Sequence, residues 1–168
     1  MSYKIANVKV SIKTLSLSLD IVFNCLTLKG LKCKNYTNFL VIKNKFTYII
    51  FKTNNKNENH INITKIPSLS HVKEALETIK TLTHCFITSS KIDNIIATTN
   101  AHRKLNLEKI VSEKKFKQIK YNNEKFPGLF LKFTNGTAII FHSGKIVLVG
   151  CKSEEALKCL IKKIFACI

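Results

Sequence analysis

Read from end to end, this chain repeats itself. Ala6-Asn7-Val8-Lys9-Val10 opens one half and Asp93-Asn94-Ile95-Ile96-Ala97 opens the other. Each opening leads to a leucine-x-leucine-acid segment, Leu17-Ser18-Leu19-Asp20 and Leu105-Asn106-Leu107-Glu108. Further on, Thr47-Tyr48-Ile49-Ile50-Phe51 is matched by Thr137-Ala138-Ile139-Ile140-Phe141. The three pairs keep their order at an offset of about 87 to 90 residues, as a duplicated unit with small insertions would. The reading is two repeats, 3–85 and 92–168.

The patterns inside each repeat agree. Asn7–Ile12 and Asn94–Thr99 are β-branched and apolar, and read as short strands. Phe39–Ile42, Phe46–Lys52 and Ile61–Thr64 continue the first repeat as strands. Leu129–Phe133, Thr137–Phe141 and Lys145–Val149 are their counterparts. Asn135-Gly136 and Ser143-Gly144 supply turn residues tolerant of positive φ. Leu19–Leu26 and Leu107–Lys117 read as short helices. A longer helix closes each repeat: one opens at Pro67-Ser68-Leu69 with Leu69, Val72, Leu76 and Ile79 on one face. The other is capped by Ser153, with Glu154 and Glu155 at the positive end of the dipole. Its apolar stripe runs Ala156, Leu157, Leu160, Ile161 and Ile164. Many strands with a few helices imply an α+β fold, an antiparallel sheet covered by helices on one face. The other face is left to be accounted for.

Charge suggests what it meets. The 28 basic residues outnumber 10 acidic ones, a net charge of +18. Self-repulsion on that scale is relieved by a polyanion, nucleic acid before an anionic membrane surface. Arg103 is the only arginine; with abundant Asn and Ile, that suggests an A·T-rich coding genome that inflates Lys. No apolar run approaches the ~18 residues of a spanning helix, and Met1-Ser2-Tyr3-Lys4 leads straight into a patterned segment, without a signal peptide. Cys25, Cys33, Cys85, Cys151, Cys159 and Cys167 lack the close pairs of a zinc site and read as free thiols of a reducing compartment. His60, His71, His84, His102 and His142 are not at catalytic spacing from a carboxylate or Cys. Without a phosphate loop, a nucleophile elbow, H-E-x-x-H or clustered acids, the chain does not read as an enzyme.

The second repeat also resembles a known family. Phe126-Pro127-Gly128-Leu129, followed by Ile140-Phe141-His142-Ser143-Gly144-Lys145-Ile146-Val147-Leu148-Val149-Gly150-Cys151-Lys152, is similar in order and spacing to the second repeat of the TATA-binding protein family. Lys104-Leu105-Asn106-Leu107 resembles the segment leading into that repeat's first helix. In the first repeat the resemblance rests on Asn7, Leu17, Leu19, Asp20 and Ile49-Ile50-Phe51. It implies a saddle: a curved antiparallel sheet with helices on the convex face and the minor groove of A·T-rich DNA on the concave one. It also implies a general transcription initiation factor that bends promoter DNA, works as a monomer and needs no cofactor. Transcription factor IIB-like and IIA-like factors and RNA polymerase would be its partners. The chain would be a bare core, located in the nucleus or at a viral replication site. The alternative is an adaptor that keeps the fold but acts through protein contacts.

Carried over by position, the rings that wedge between base pairs are Phe126 and Phe141 in the second repeat and Phe51 in the first. Its partner is either Tyr36, at the same spacing from Phe51 as Phe126 from Phe141, or Phe39. Asn7 and Asn94 match the family's central pair of asparagines, and an amide donor suits a groove floor where A·T pairs offer only acceptors. Strand alternation puts Asn94 with Ile96, Ile139 with Phe141, and Val147 with Val149 on one face, a set of minor-groove contacts. Lys132, Lys145 and Lys152 fall where the family contacts phosphate, and Lys9 could reach one too. Tyr121 and Glu124 hold the pattern of the surface engaging the IIB factor. Departures are Val149 for a base-contacting threonine, Cys151 for an alanine, Lys9 at an apolar position, and the polar run Thr53–Asn59 where Ser-Gly-Lys is expected. They imply a relaxed sequence preference.

Overall fold

The computed structural model describes residues 2–15, 17–52, 58–113 and 118–168. The chain forms two compact units, Asn7–Asp93 and Asn94–Ile168, the latter together with Met1–Ala6.

In the first unit, β1 (Lys4–Leu15) leads to α1 (Leu19–Leu28), and then to β2 (Lys32–Asn35), β3 (Phe39–Lys43), β4 (Thr47–Phe51) and β5 (Glu58–Ile66). A single 3-10 turn at Leu69–His71 starts α2 (Val72–Thr83). The strands lie antiparallel in the order β2-β3-β4-β5-β1. In the second unit β6 (Ile87–Asn100) is followed by α3 (Leu107–Ser112), β7 (Ile119–Asn122), β8 (Phe126–Phe133), β9 (Gly136–Phe141), β10 (Lys145–Cys151) and α4 (Glu154–Phe165). The order β6-β10-β9-β8-β7 repeats that of the first unit. The expected α+β class and twofold antiparallel plan are both present.

Period-2 patterning explains which face the helices cover. In β9, Ala138 and Ile140 are buried while Thr137, Ile139 and Phe141 are not; in β10, Ile146 and Leu148 alternate with Val147 and Val149. The same holds for Leu40 and Ile42 in β3, and for Tyr48 and Ile50 in β4. Each fully buried Ile or Leu contributes roughly 1.5–3 kcal/mol, so this alternation fixes the register. Over the buried face, α4 packs on β9 and β10 through Leu157, Leu160, Ile161 and Ile164, its first turn capped by Ser153 Oγ accepting from Ala156 N at 3.1 Å. The helix α2 packs on β5. Its buried line is Ala75, Ile79 and Thr83, with Leu69, Val72 and Leu76 only half-buried. The small Ala75 lets the helix approach, and the buried Tyr48 hydroxyl donates to Ala75 O at 3.2 Å. Burial pushes the Tyr48 phenol up to about 12.

Some elements differ from the sequence reading. β2 and β7 are four-residue edge strands, too short and too polar to stand out. The helix expected over 107–117 ends at Ser112, and residues 114–117 lie outside the described residues. So does most of the polar run after Phe51, residues 53–57. The turns at Gly136 and Gly144 stand where expected. No helix among the described residues is long and apolar enough to cross a membrane, and none of their His, Cys, Asp and Glu side chains group as a metal site.

Candidate nucleic-acid interface

Each unit leaves one sheet face without helices, and the candidate residues gather there. In the second unit, strand pairing lines them up. Val147 lies opposite Ile139 on one side and Thr98 on the other, and Ile139 lies opposite Phe130. Asn94, Ile96 and Thr98 alternate with the buried Ile95, Ala97 and Thr99. Half-exposed Ile96, Phe130, Ile139, Val147 and Val149 therefore form an apolar band that no helix covers. Phe130 carries no motif of its own in the sequence. Its place follows from being two residues from Gly128 on one strand, which only the β8–β9 register makes useful.

At the end of this band the rings converge. Phe126 is 39% exposed, with centroids 5.9 Å from Phe141 and 5.2 Å from Phe130. Gly128 sits opposite Phe141 and beneath the Phe126 ring: a Cβ there would stand 2.5 Å from Phe126 Cε1 and 2.9 Å from Ile139 Cγ2. The glycine of Phe-Pro-Gly is the seat of the ring.

The first unit solves the same problem differently. Phe39 lies directly opposite Phe51, the place Gly128 holds opposite Phe141. The Tyr36 ring stacks on Phe39 at 4.6 Å, and Phe39 stands 6.2 Å from Phe51. All three candidates thus form one cluster, with Tyr36 outermost at 45% exposure, comparable to Phe126.

Asn7 and Asn94 are held alike. Each unit has an irregularity in register, between Val8 and Val10 and between Leu148 and Cys151. There one residue adopts positive φ, Lys65 at 62° and Gly150 at 89°. The backbone N–H of each donates to the asparagine Oδ1: Lys65 N to Asn7 at 2.8 Å, and Gly150 N to Asn94 at 2.6 Å. Because an N–H needs an acceptor, this bond fixes which end of each amide is oxygen. The Nδ2 group, with its two donors, has no protein partner among the described residues. The bulge also turns Cys151 inward, where burial pushes its thiol up.

The lysines differ from one another. Lys132 and Lys145 are exposed on the uncovered face beside Phe130 and Val147, and Lys152 is exposed just after β10. None of the three is in an ion pair among the described residues. Lys9 lies 3.5 Å from Asp93 and is only partly free. Strand register adds Lys120, opposite Phe130, and Lys34, opposite Val41, to the same faces. The sequence could have given these only with the edge strands in place. Tyr121 lines a pocket of about 350 Å³ with Asn106, Leu107, Glu108, Pro127 and His142, and Glu124 is exposed in the adjoining turn.

Residues 89–168 match the family model described as Transcription factor TFIID (or TATA-binding protein, TBP). Those residues, the second repeat, belong to the TATA-binding protein family. A TATA-box-binding protein of Pyrobaculum neutrophilum is 43% identical over 72 residues, covering 42% of this chain and 36% of the relative. One of Thermococcus celer is 36% identical over 76 residues, covering 44% and 39%. These matches span little more than a third of each curated relative. The solved structure titled Methanococcus jannaschii TBP covers 98% of this chain and 96% of its own, with a TM-score of 0.77 and 27% identity. The TATA-binding protein fold therefore extends through the first repeat, beyond the residues that the family model matches.

Proposed function

We propose that this protein is a transcription initiation factor that binds the minor groove of A·T-rich duplex DNA with its uncovered sheet faces and bends it. The observation carrying this reading is the pair of asparagines. Each amide accepts from a bulge N–H through its Oδ1, which leaves both Nδ2 donors without a partner among the described residues. The A·T minor groove presents only acceptors, adenine N3 and thymine O2. Around Asn94, Ile96, Ile139, Val147 and Val149 suit a floor free of guanine amino groups. Phe126 with Phe141, and Tyr36 and Phe39 with Phe51, are apolar wedges of the kind that unstack a base step and kink the duplex. Lys132, Lys145, Lys152 and Lys9 take the phosphates. On this reading the protein acts as a monomer without catalysis or cofactor, wherever its DNA lies. The surface around Tyr121 and Glu124 would receive a factor IIB-like partner, with IIA-like factors and RNA polymerase joining afterwards.

The test is fluorescence transfer between duplex ends, on a TATA element and a fully G·C-substituted version, across a salt series. A bend on TATA alone, lost in Phe141→Ala, is expected. Equal, salt-sensitive binding of both duplexes without bending would refute it and leave the adaptor reading in its place.

A further inference from the structure

The uncovered face of the first unit carries a residue that reading A·T pairs does not use. Asp93 precedes Asn94, and the residue in the same place before Asn7 is Ala6, so the two repeats differ here. The Asp93 side chain reaches the uncovered face. Ser11 Oγ donates to its Oδ2 at 2.6 Å, and Lys9 Nζ stands 3.5 Å from the same oxygen. Lys9 and Ser11 alternate with the buried Val8, Val10 and Ile12. Lys91 Nζ lies 3.7 Å from Oδ1. Burial raises the Asp93 pKa, but the Ser11 hydrogen bond and the two lysines outweigh it and hold the carboxyl below its ordinary value. It is therefore ionised at neutral pH and can only accept.

An acceptor is wrong for an A·T floor, where it would face adenine N3 or thymine O2. The one donor in the minor groove is the guanine N2 amino group. The surroundings are polar in the same sense. Asn62 lies opposite Ser11, whereas Val147 lies opposite Thr98 in the second unit, and Lys9 stands where the second unit has Ile96. With 25% of its side chain exposed, Asp93 is open to a ligand while braced by three neighbours.

We infer that Asp93 determines specificity by accepting a hydrogen bond from guanine N2 at one fixed base pair in the part of the site bound by the first unit. This rests on the minor-groove reading proposed above. The preferred site is then A·T-rich with a single G·C pair, and that pair sets the direction in which the protein sits on DNA.

The test is competition binding against duplexes carrying one G·C pair at each position of an A·T site, followed by replacement of that guanine with inosine. Inosine lacks only the N2 amino group, so it isolates this contact. We expect one position where G·C is preferred over A·T, and a loss of roughly 5- to 150-fold on inosine substitution there. Asp93→Ala, which leaves no side-chain acceptor, should abolish the guanine preference while still binding the all-A·T duplex. Indifference of the unaltered protein to inosine at every position, or an unchanged guanine preference in Asp93→Ala, would overturn the inference. The inosine arm uses the unaltered protein, so it decides the matter even if the variant does not fold. Binding to the A·T duplex with no guanine preference defeats this inference alone. No binding to any duplex, or binding that a minor-groove drug does not displace, defeats the minor-groove reading and this inference with it.

Discussion

Gly128→Ala separates the stability of the second unit from its ability to deform DNA. The added Cβ would stand 2.5 Å from Phe126 Cε1 and 2.9 Å from Ile139 Cγ2, so both side chains must move. The Phe126 ring is 39% exposed and can swing away, whereas the backbone of β8 is held by pairing on both sides. The cost is then mainly the two ring contacts that Phe126 makes, with Phe130 and Phe141. Aromatic pairs contribute about 0.5–1.5 kcal/mol each, and partial exposure argues for the lower half of that range. We expect a loss of about 1–2 kcal/mol, which lowers the melting temperature by about 2–8 °C in a chain of this size. The DNA bend should suffer far more, because the ring that would enter the base step has lost its seat. A double-mutant cycle read by chemical denaturation checks the cause. In Phe126→Ala, where no ring covers Gly128, the alanine should cost clearly less, leaving only the Ile139 contact. If Gly128→Ala costs the same in both backgrounds, the ring does not rest on the glycine.

Two further substitutions probe the asparagine–bulge arrangement. Asn94→Asp keeps an oxygen to accept from Gly150 N but exchanges the two Nδ2 donors for a second acceptor. Thermal stability should stay within about 0.5 kcal/mol, while affinity for an A·T duplex in a filter or fluorescence titration falls roughly 10-fold or more. Lys65→Gly relieves a side chain held at a φ of 62°. That conformation costs an L-residue about 1–2 kcal/mol and glycine's added chain freedom about 0.5–1 kcal/mol, so denaturant titration should show a net gain centred on about 0.75 kcal/mol and no more than about 1.5 kcal/mol.

The α+β class and the buried face of each main strand were legible in the chain before folding, and so was the doubling of its motifs. These are local facts: period-2 alternation, turn glycines and the Ser153 cap are written in consecutive residues. The sequence also pointed to Phe126, Phe141 and the two asparagines, because short motifs recur in order. Tertiary structure alone decided what depends on register between strands distant in the chain. The register shows that Phe39 stands where Gly128 stands, so the choice between Tyr36 and Phe39 becomes a three-ring cluster. It brings Phe130, Lys120 and Lys34 onto the uncovered faces, since edge strands of four polar residues carry no pattern of their own. It ties the Asn7 and Asn94 oxygens to N–H groups 58 and 56 residues away, which turns two permissive amides into oriented donors. It also places Asp93 against Lys9 and Ser11, more than 80 residues earlier in the chain. No window of sequence contains that contact. Only folding, which trades chain entropy for packing over the whole buried face, brings such residues to one surface.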